Sequence, residues 1–201
     1  IGDTVIVSRA GDVIPQVSRV LTDLRTGKEK EFHVPRNCPI DGSKIIQEGV
    51  FYRCSNPKCG ARNRESIRHF VSKPGFNIEG LGPKIIDQLL DVGLIKDATG
   101  LFILKQEQIQ EMERFDVVSA QNLINAINKS KNNSLEQLIF GLGIRYVGIN
   151  IAHILTDNFS SFDEIANTSK EEFEKIKGLG ESIISSLIAF FDKEEVKNLI
   201  Q

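Results

Sequence analysis

Several residue types are scarce in this sequence, and each shortage excludes a class of protein. The 201 residues include no Trp, one Met, two Tyr and three Cys, with 16 Gly and six Pro. That Gly and Pro content is well below the level of collagen-like or low-complexity chains. No apolar run approaches the roughly 18 residues that a membrane helix needs. We therefore expect neither a fibrous nor a membrane-spanning protein.

The cysteine count and the first residues bear on the cellular compartment. Three Cys, an odd number, do not make a disulfide framework. The chain begins at Ile1 without a basic and apolar leader, so we expect a cytoplasmic protein whose cysteines are reduced thiols or metal ligands. The missing initiator Met indicates a piece of a longer chain.

Charge is distributed unevenly along the chain. Residues 1–75 carry 13 Lys and Arg against 8 Asp and Glu, whereas the remainder carries 12 against 19. A basic first third is typical of a protein that binds a polyanion. The acidic remainder would need local hydrogen-bond donors to bind a polyanion. With 40% apolar and 26% charged residues, the chain is long enough for a core and for two or three modules.

The first 35 residues have the β-branched runs that are typical of strands. We predict strands at residues 3–7, 17–21 and 31–34. Three strands are too few to close a five-stranded barrel. We therefore interpret residues 1–35 as part of a small barrel or sheet whose other strands precede Ile1.

Residues 36–70 are rich in Cys, Pro, Asn and Gly, and they predict a module held by a metal. Cys38, Cys54 and Cys59 have the spacing of a zinc ribbon, in which two ligand pairs about a dozen residues apart meet tetrahedrally. Asp41 stands where the fourth Cys would be. A carboxylate also binds zinc, so Asp41, His33 and His69 are the candidates for the fourth ligand. The alternative is a ribbon that has lost its metal and keeps its fold by packing.

From Phe76 onward the pattern is helical and repetitive. Four times an apolar helix, a tight turn and a second apolar helix follow one another, and the turns centre on residues 80–82, 117–119, 146–148 and 178–180. The fourth residue after each turn is small or aliphatic: Ile86, Leu123, Ala152 and Ile184. This period of about 30 residues predicts four tandem helical hairpins.

Glycines in three of these turns predict phosphate binding. A Gly-hydrophobe-Gly turn lets its own N–H groups and those of the next helix N-terminus face a phosphate, while the middle side chain packs into the core. Oriented backbone dipoles then supply the positive potential. We expect the first, third and fourth turns to bind DNA through Gly80, Gly82, Gly148, Gly178 and Gly180. The second turn has neither glycine and is expected to serve packing. The alternative for every copy is an ordinary hairpin closed by glycine caps.

In order along the chain, these elements resemble the C-terminal half of bacterial NAD-dependent DNA ligases. The resemblance rests on residues 2–5, 9–15 and 76–82, on the Cys-rich module and on the tandem hairpins, and it covers essentially the whole chain. It implies a multidomain fold. Residues 1–35 would be the C-terminal part of an OB-fold, residues 36–70 a zinc-ribbon-like module and residues 71–201 an all-α domain of four helix-hairpin-helix motifs. Asp41 and the second hairpin depart from the family pattern.

The resemblance also implies a function, namely sealing nicks in duplex DNA in replication and repair in the bacterial cytosol. NAD and Mg would be cofactors of the parent enzyme, and zinc would be bound by the ribbon. Arg9 would contact phosphate, and Val13 and Ile14 would face sugar and base edges in the minor groove at the nick. On the residues alone, the same stretch is also a turn between strands with two core aliphatics.

The family's chemistry begins at the lysine of a Lys-x-Asp-Gly motif, whose amine attacks the adenylyl phosphate of NAD. The nearest match here, Asp41-Gly42, has Pro39 in place of that lysine. We therefore predict no catalytic residue in this chain. We expect it to grip nicked double-stranded DNA as a monomer, without base-sequence preference and without ligating it.

Three other functions stay open on the sequence: the helix-hairpin-helix scaffold of a repair or recombination nuclease, a base-excision glycosylase, and a helical adaptor that binds no DNA. The residues from Arg9 to Pro15 and the ribbon argue against the first. The lack of Trp, and of a Lys at the hairpin centres, argues against the second. Residues 72–75 indicate either a hinge before the hairpins or a rigid corner.

Overall fold

A computed structural model describes residues 1–10 and 14–193. The chain divides into two compact units, Ile1–Pro57 and Lys58–Gln201. The first contains antiparallel strands and the second contains helices. This succession of small sheets followed by a helical region is the one that the sequence predicts.

A long β-hairpin opens the first unit. Strand β1, Val5–Ala10, pairs antiparallel with β2, Ile14–Val20. Both predicted strands are present, and the ladder continues further toward the turn than predicted, because Ala10 pairs with Ile14. Every side chain of β2 is exposed, so β2 has no buried face within the described chain.

The predicted strand at residues 31–34 is wrong. These residues form no strand in the described structure, and backbone pairing reaches only Lys30, whose N–H donates to the Ile1 carbonyl at 3.0 Å. Just before it, the Glu29 carboxylate accepts from the N–H groups of Thr26 and Gly27, each at 2.8 Å, and holds a turn. A segment with no neighbouring strand cannot satisfy its backbone groups in a ladder.

A second, shorter hairpin follows. Strand β3, Ile45–Glu48, pairs antiparallel with β4, Phe51–Cys54, and Ile45 lies opposite Cys54. An isolated bridge between Asn37 and Lys44 extends this pairing backward. The hairpin therefore returns Cys54 to the loop that begins at Cys38.

The second unit is helical throughout its described part. Its helices are α1 Gly60–Phe70, α2 Pro83–Asp91, α3 Gln106–Gln110, α4 Val117–Ser130, α5 Leu135–Gly141, α6 Ile149–Asn158, α7 Phe162–Ala166, α8 Lys170–Phe173 and α9 Glu181–Phe191. In the described chain none of them combines the length and apolar character required to cross a bilayer.

Helical structure begins at Gly60, earlier than the pattern from Phe76 predicts. Helix α1 is mostly polar, and only Ile67 and Phe70 of its residues are buried. Two apolar residues in three turns are too few to produce a clear 3.6-residue period. Helix α1 is stabilised by its tertiary contacts, and the hydrophobic pattern of its own sequence does not show them.

The helices pack around two separate hydrophobic cores, and each core is formed by two hairpins. The first core extends from Ile67 to Ile127 and the second from Ile139 to Phe191. The two halves meet where His69 Nε2 lies 2.8 Å from the Phe140 carbonyl oxygen. Hairpins one and two therefore share one core, and hairpins three and four share the other.

Residues 72–75 form a closely packed corner. The Phe76 N–H donates to the Phe70 carbonyl at 2.8 Å, and the two rings stack with their centroids 4.0 Å apart. A Cβ on Gly75 would lie 2.5 Å from the Phe70 carbonyl oxygen, so glycine is required there by close approach. Of the two interpretations that the sequence left open, this packing favours the corner.

Candidate nucleic-acid interface and metal centre

Four corners in the helical unit share one backbone geometry. Each corner consists of three residues that end at the N-cap of a helix: 80–82 before α2, 114–116 before α4, 146–148 before α6 and 178–180 before α9. In each, the N–H of the middle residue donates to the carbonyl three positions earlier, over 3.0–3.3 Å: Leu81 to Ile78, Phe115 to Met112, Val147 to Ile144 and Leu179 to Ile176. The same turn is thus built four times.

The first residue of every corner is in the left-handed region. The φ angles are 82° for Gly80, 69° for Arg114, 66° for Tyr146 and 101° for Gly178. The middle side chain then turns inward, and it is buried in the first, third and fourth corners and half-buried in the second. Each corner is therefore anchored to a core by its middle residue, as predicted.

The second corner is not at the predicted position. Residues 117–119 were expected to form it, but Val117 begins α4 and Asp116 is the N-cap. The four N-caps, at 82, 116, 148 and 180, are spaced by 34, 32 and 32 residues, which is more regular than the sequence pattern predicts. The buried residue four positions after this N-cap is Ala120, and not Leu123. The sequence pattern missed this register because Arg114 adopts the left-handed conformation without being a glycine.

The two glycines of a corner have different roles. Gly178 supplies a left-handed φ, as Gly80 does in the first corner. The N-cap glycines have ordinary φ angles, −76° at Gly82, −97° at Gly148 and −81° at Gly180, which any residue adopts. A Cβ on any of the three would meet no atom within 4 Å. Their lack of a side chain therefore keeps space open over the helix N-terminus.

That open space faces helix N-termini that no side chain caps. No side-chain hydrogen bond caps α2, α6 or α9, and Gly82, Gly148 and Gly180 are exposed. The first N–H groups of a helix have no partner within the helix, and its dipole adds positive potential at this end. These three corners can therefore accept an anion.

The second corner is closed by its own side chain. The Ser119 N–H donates to Asp116 Oδ1 at 2.7 Å, and the Asp116 N–H donates to Ser119 Oγ at 2.9 Å. Hydrogen bonds from the Ser119 amide and then from its hydroxyl hold the pKa of Asp116 below its usual value. The carboxylate is charged at neutral pH and occupies the anion position.

Sequence reasoning missed one basic side chain at each open corner. Lys84 follows the first corner by two residues, and Arg145 and Lys177 directly precede the third and fourth. All three are exposed, and the Arg145 guanidinium lies 5.0 Å from the centroid of the Tyr146 ring. The signal that marks them is their position within two residues of a corner. Each open corner therefore has one basic side chain in addition to its backbone N–H donors.

The β-hairpin residues expected at the nick are only partly described. Arg9 lies on β1 opposite Pro15 and is exposed, and Ile14 on β2 is 62% exposed. Val13 lies outside the described residues. Ile14 is therefore a surface residue in this unit.

The Cys-rich segment brings four ligand atoms together. One atom from each of Cys38, Asp41, Cys54 and Cys59 lies within 4.8 Å of all the others. Cys38 and Cys59 are buried. These four residues can hold a metal ion, and Asp41 takes the fourth position. Among the described residues, neither other candidate belongs to this group: His69 lies against the Phe140 carbonyl, and His33 lies 3.8 Å from Glu31.

Asp41 is held in a defined orientation. Asn56 Nδ2 donates to its Oδ2 at 2.8 Å, and the Ser43 N–H donates to its Oδ1 at 3.0 Å. The Cys54 sulfur lies 3.5 Å from Asp41 Oδ1. A tetrahedral zinc ion, with Zn–S of about 2.3 Å and Zn–O of about 2.0 Å, puts these two ligand atoms about 3.5 Å apart. The donor set therefore fits zinc both in chemistry and in this distance.

Comparison with known proteins agrees with this arrangement. The helix-hairpin-helix motif family matches residues 137–200, which contain the third and fourth corners. Over 203 aligned positions, the chain is 45% identical to DNA ligases of Bacillus mycoides (strain KBAB4) and Bacillus thuringiensis (strain Al Hakam). The alignment covers the whole chain and 30% of each relative, so the chain spans about a third of their length. The resemblance predicted from the order of elements is confirmed.

Proposed function

We propose that this chain, which is homologous over its whole length to a region of bacterial DNA ligases, is the DNA-binding portion of an NAD-dependent DNA ligase. The parent enzyme would seal nicks in duplex DNA in replication and repair. The observation that carries the proposal is the set of three corners that repeat one backbone geometry and leave a helix N-terminus uncapped. The first, third and fourth corners would each hold one phosphate of nicked duplex DNA.

Backbone N–H groups and helix dipoles explain how an acidic helical region binds a polyanion. Gly82, Gly148 and Gly180 allow a phosphate to approach the N–H groups of the following helix without meeting a side chain. Gly80 and Gly178 provide the left-handed turn that aims these groups. Contacts to phosphate carry no base information, so the grip along the minor groove would not depend on sequence.

We extend the proposal to the other segments of the chain. Residues 1–35 would be the end of an OB-fold, residues 36–70 a zinc-ribbon-like module and residues 71–201 the four helix-hairpin-helix motifs. Arg9 would contact a phosphate at the nick, and Val13 and Ile14 would lie against sugar and base edges in the minor groove. An exposed aliphatic side chain in that position, such as that of Ile14, is suited to distorting a nick end.

Zinc would be held by the thiolates of Cys38, Cys54 and Cys59 together with Asp41. Their proximity and the fit of the sulfur–oxygen distance support this assignment. A structural zinc ion supplies folding free energy to a segment that has too few apolar residues for a core. Asn56 and Ser43 orient the Asp41 carboxylate toward that position.

The chemistry of the parent enzyme would need residues that this chain does not contain. No Lys-x-Asp-Gly motif occurs in the sequence. NAD, Mg and the nucleotidyl lysine would belong to the rest of the parent protein, in the bacterial cytosol. This chain, as a monomer, would hold the two sides of a nick so that the reacting atoms align.

Fluorescence anisotropy with a labelled nicked duplex tests the proposal. We expect micromolar affinity at low salt, little change when the base sequence is altered, and no sealing of the nick. The three corner phosphates and the one at Arg9, at about 0.9 each, predict a slope of about −3.6 for log K against log salt. Absence of binding at low salt would overturn the proposal.

A further inference from the structure

The second corner has the same backbone as the corners assigned to DNA, and nothing in that backbone prevents it from binding a phosphate. Arg114 has the left-handed φ, and the Phe115 N–H donates to the Met112 carbonyl. The N-cap Asp116 has φ −116° and ψ −178°, close to the −97° and −173° of Gly148. The following helix, α4, is 14 residues long. What differs is the side chain at the N-cap.

The Asp116 carboxylate uses the donors that a phosphate would use. Its Oδ1 accepts from both the N–H and the Oγ of Ser119, each at 2.7 Å. The Ser119 hydroxyl in turn accepts from the Asp116 N–H at 2.9 Å. A capping box of this kind satisfies two otherwise unpaired N–H groups and adds a negative charge at the helix N-terminus.

The surroundings of this corner are also unfavourable to an anion. Val117 and Val118, in the first turn of α4, are 63% and 66% exposed and offer no side-chain donor. The basic residue of the corner, Arg114, has its Nε 3.7 Å from a carboxylate oxygen of Glu113. A phosphate arriving here would meet two carboxylates and no vacant donor on Ser119.

We propose that Asp116 is a specificity-determining residue whose carboxylate substitutes for a DNA phosphate and closes the second corner, so that only three of the four corners hold a phosphate. The inference rests on the proposed function, because it assumes that the other three corners bind DNA. It goes further by attributing the exclusion of phosphate from the second corner to the Asp116 side chain. Replacing that side chain should therefore open the corner.

The test measures binding of the whole chain to nicked duplex by fluorescence anisotropy over a range of salt. Asp116→Gly copies the open corners, and Asp116→Asn removes the charge but keeps a good N-cap, so that its helix stays formed. Glu113→Gln is the matched control, since it removes one negative charge three residues away without touching the capped N–H groups. Far-UV circular dichroism verifies the fold of each variant.

We expect Asp116→Gly to bind about three- to tenfold more tightly at low salt, with a log–log salt slope steeper by about 0.9, as one added phosphate contact requires. Asp116→Asn should bind more tightly than Glu113→Gln. The inference is overturned if Asp116→Gly folds but keeps the wild-type slope. It is equally overturned if the DNA affinity of Asp116→Asn rises no more than that of Glu113→Gln. This second comparison tests the inference if Asp116→Gly fails to fold.

Failure of the proposed function gives a different result. If the wild-type chain does not bind DNA, the three open corners themselves are wrongly assigned. If the wild type binds and Gly180→Asp weakens it while both Asp116 variants match the control, the proposed function stands and only the role of Asp116 is wrong.

Discussion

Arg68 Nη2 donates to both carboxylate oxygens of Asp87, at 2.9 and 2.8 Å, and thereby joins α1 to α2. Arg64 Nη1 donates to the same carboxylate at 3.0 Å, and its Nη2 pairs with Asp91. Helix α1, which the sequence pattern does not mark as helical, is therefore fastened to the first hairpin by charge as well as by packing. The first corner directly precedes α2, so these ion pairs also hold that corner in place.

Stability should depend on the ionisation of Asp87. Burial raises the pKa of Asp87, but hydrogen bonds and charge from Arg64 and Arg68 outweigh it, and the pKa lies below its usual value. A carboxyl group with a lower pKa in the folded state stabilises above its unfolded pKa of about 3.9, and loses that effect as pH falls through the folded value. We expect Asp87→Asn to lower the thermal midpoint at neutral pH by about 1–3 °C.

Thermal unfolding followed by circular dichroism at a series of pH values checks this prediction. The difference between wild type and Asp87→Asn should shrink as pH is lowered from about 6 toward about 2. Glu79→Gln, an exposed carboxyl without an arginine partner in the described structure, is the control. A difference that does not change with pH would mean that Asp87 acts by packing and not by charge.

The two glycines of the fourth corner should respond differently to alanine. Gly178 has φ 101°, and a Cβ there would lie 2.9 Å from Ile154 Cδ1, so Gly178→Ala should cost about 1–3 kcal/mol of unfolding free energy. Gly180 has an ordinary φ and open space, and Gly180→Ala should cost about 0.5–1 kcal/mol, through the poorer N-cap. Urea unfolding measures both. Equal losses of unfolding free energy in the two variants would mean that Gly178 and Gly180 do not have the different roles described above.

Aspartate at an open corner should reproduce the closed one. Gly82→Asp or Gly180→Asp places a carboxylate where Asp116 has one, so it can accept from the first-turn N–H groups and repel phosphate. We expect DNA affinity to fall about tenfold or more, as when a charge-assisted contact is lost, while helix content stays near wild type. Anisotropy and far-UV circular dichroism are the measurements. Loss of folding instead would indicate that these glycines serve packing.

Metal content tests the Cys-rich cluster. Protein purified without chelator should contain about one zinc per chain, and Asp41→Ala should bind it more weakly, whereas Asp41→Cys completes a four-thiolate set and should bind it more tightly. Elemental analysis and chelator competition measure this. Asp23→Ala, an exposed carboxyl outside the cluster, is the control. Less than about 0.2 equivalents in the wild-type chain would contradict a zinc site.

Local sequence patterns predicted the elements whose own residues carry a distinctive composition or spacing. β-Branched runs marked β1 and β2, and the buried aliphatic positions after the corners marked α2, α6 and α9. The same reasoning was wrong where a segment depends on a distant neighbour. Residues 31–34 have strand-forming residues but no described partner strand, and α1 has few apolar residues but is held by Asp87 and by the first core.

The sequence by itself determined the succession of small sheets and helices, the Gly-hydrophobe-Gly form of the corners and the candidate metal ligands, because glycine and cysteine spacings are local and chemically restrictive. Only the tertiary structure decided where the second corner lies and that the Asp116 side chain closes it. Left-handed φ at Arg114 and Tyr146 is imposed by the hairpin around them, since their own side chains disfavour it. Likewise, only the structure places ligand atoms of Asp41 and the three cysteines within 4.8 Å of one another. Side chains that are far apart in the sequence can form one site when packing fixes the distances between them.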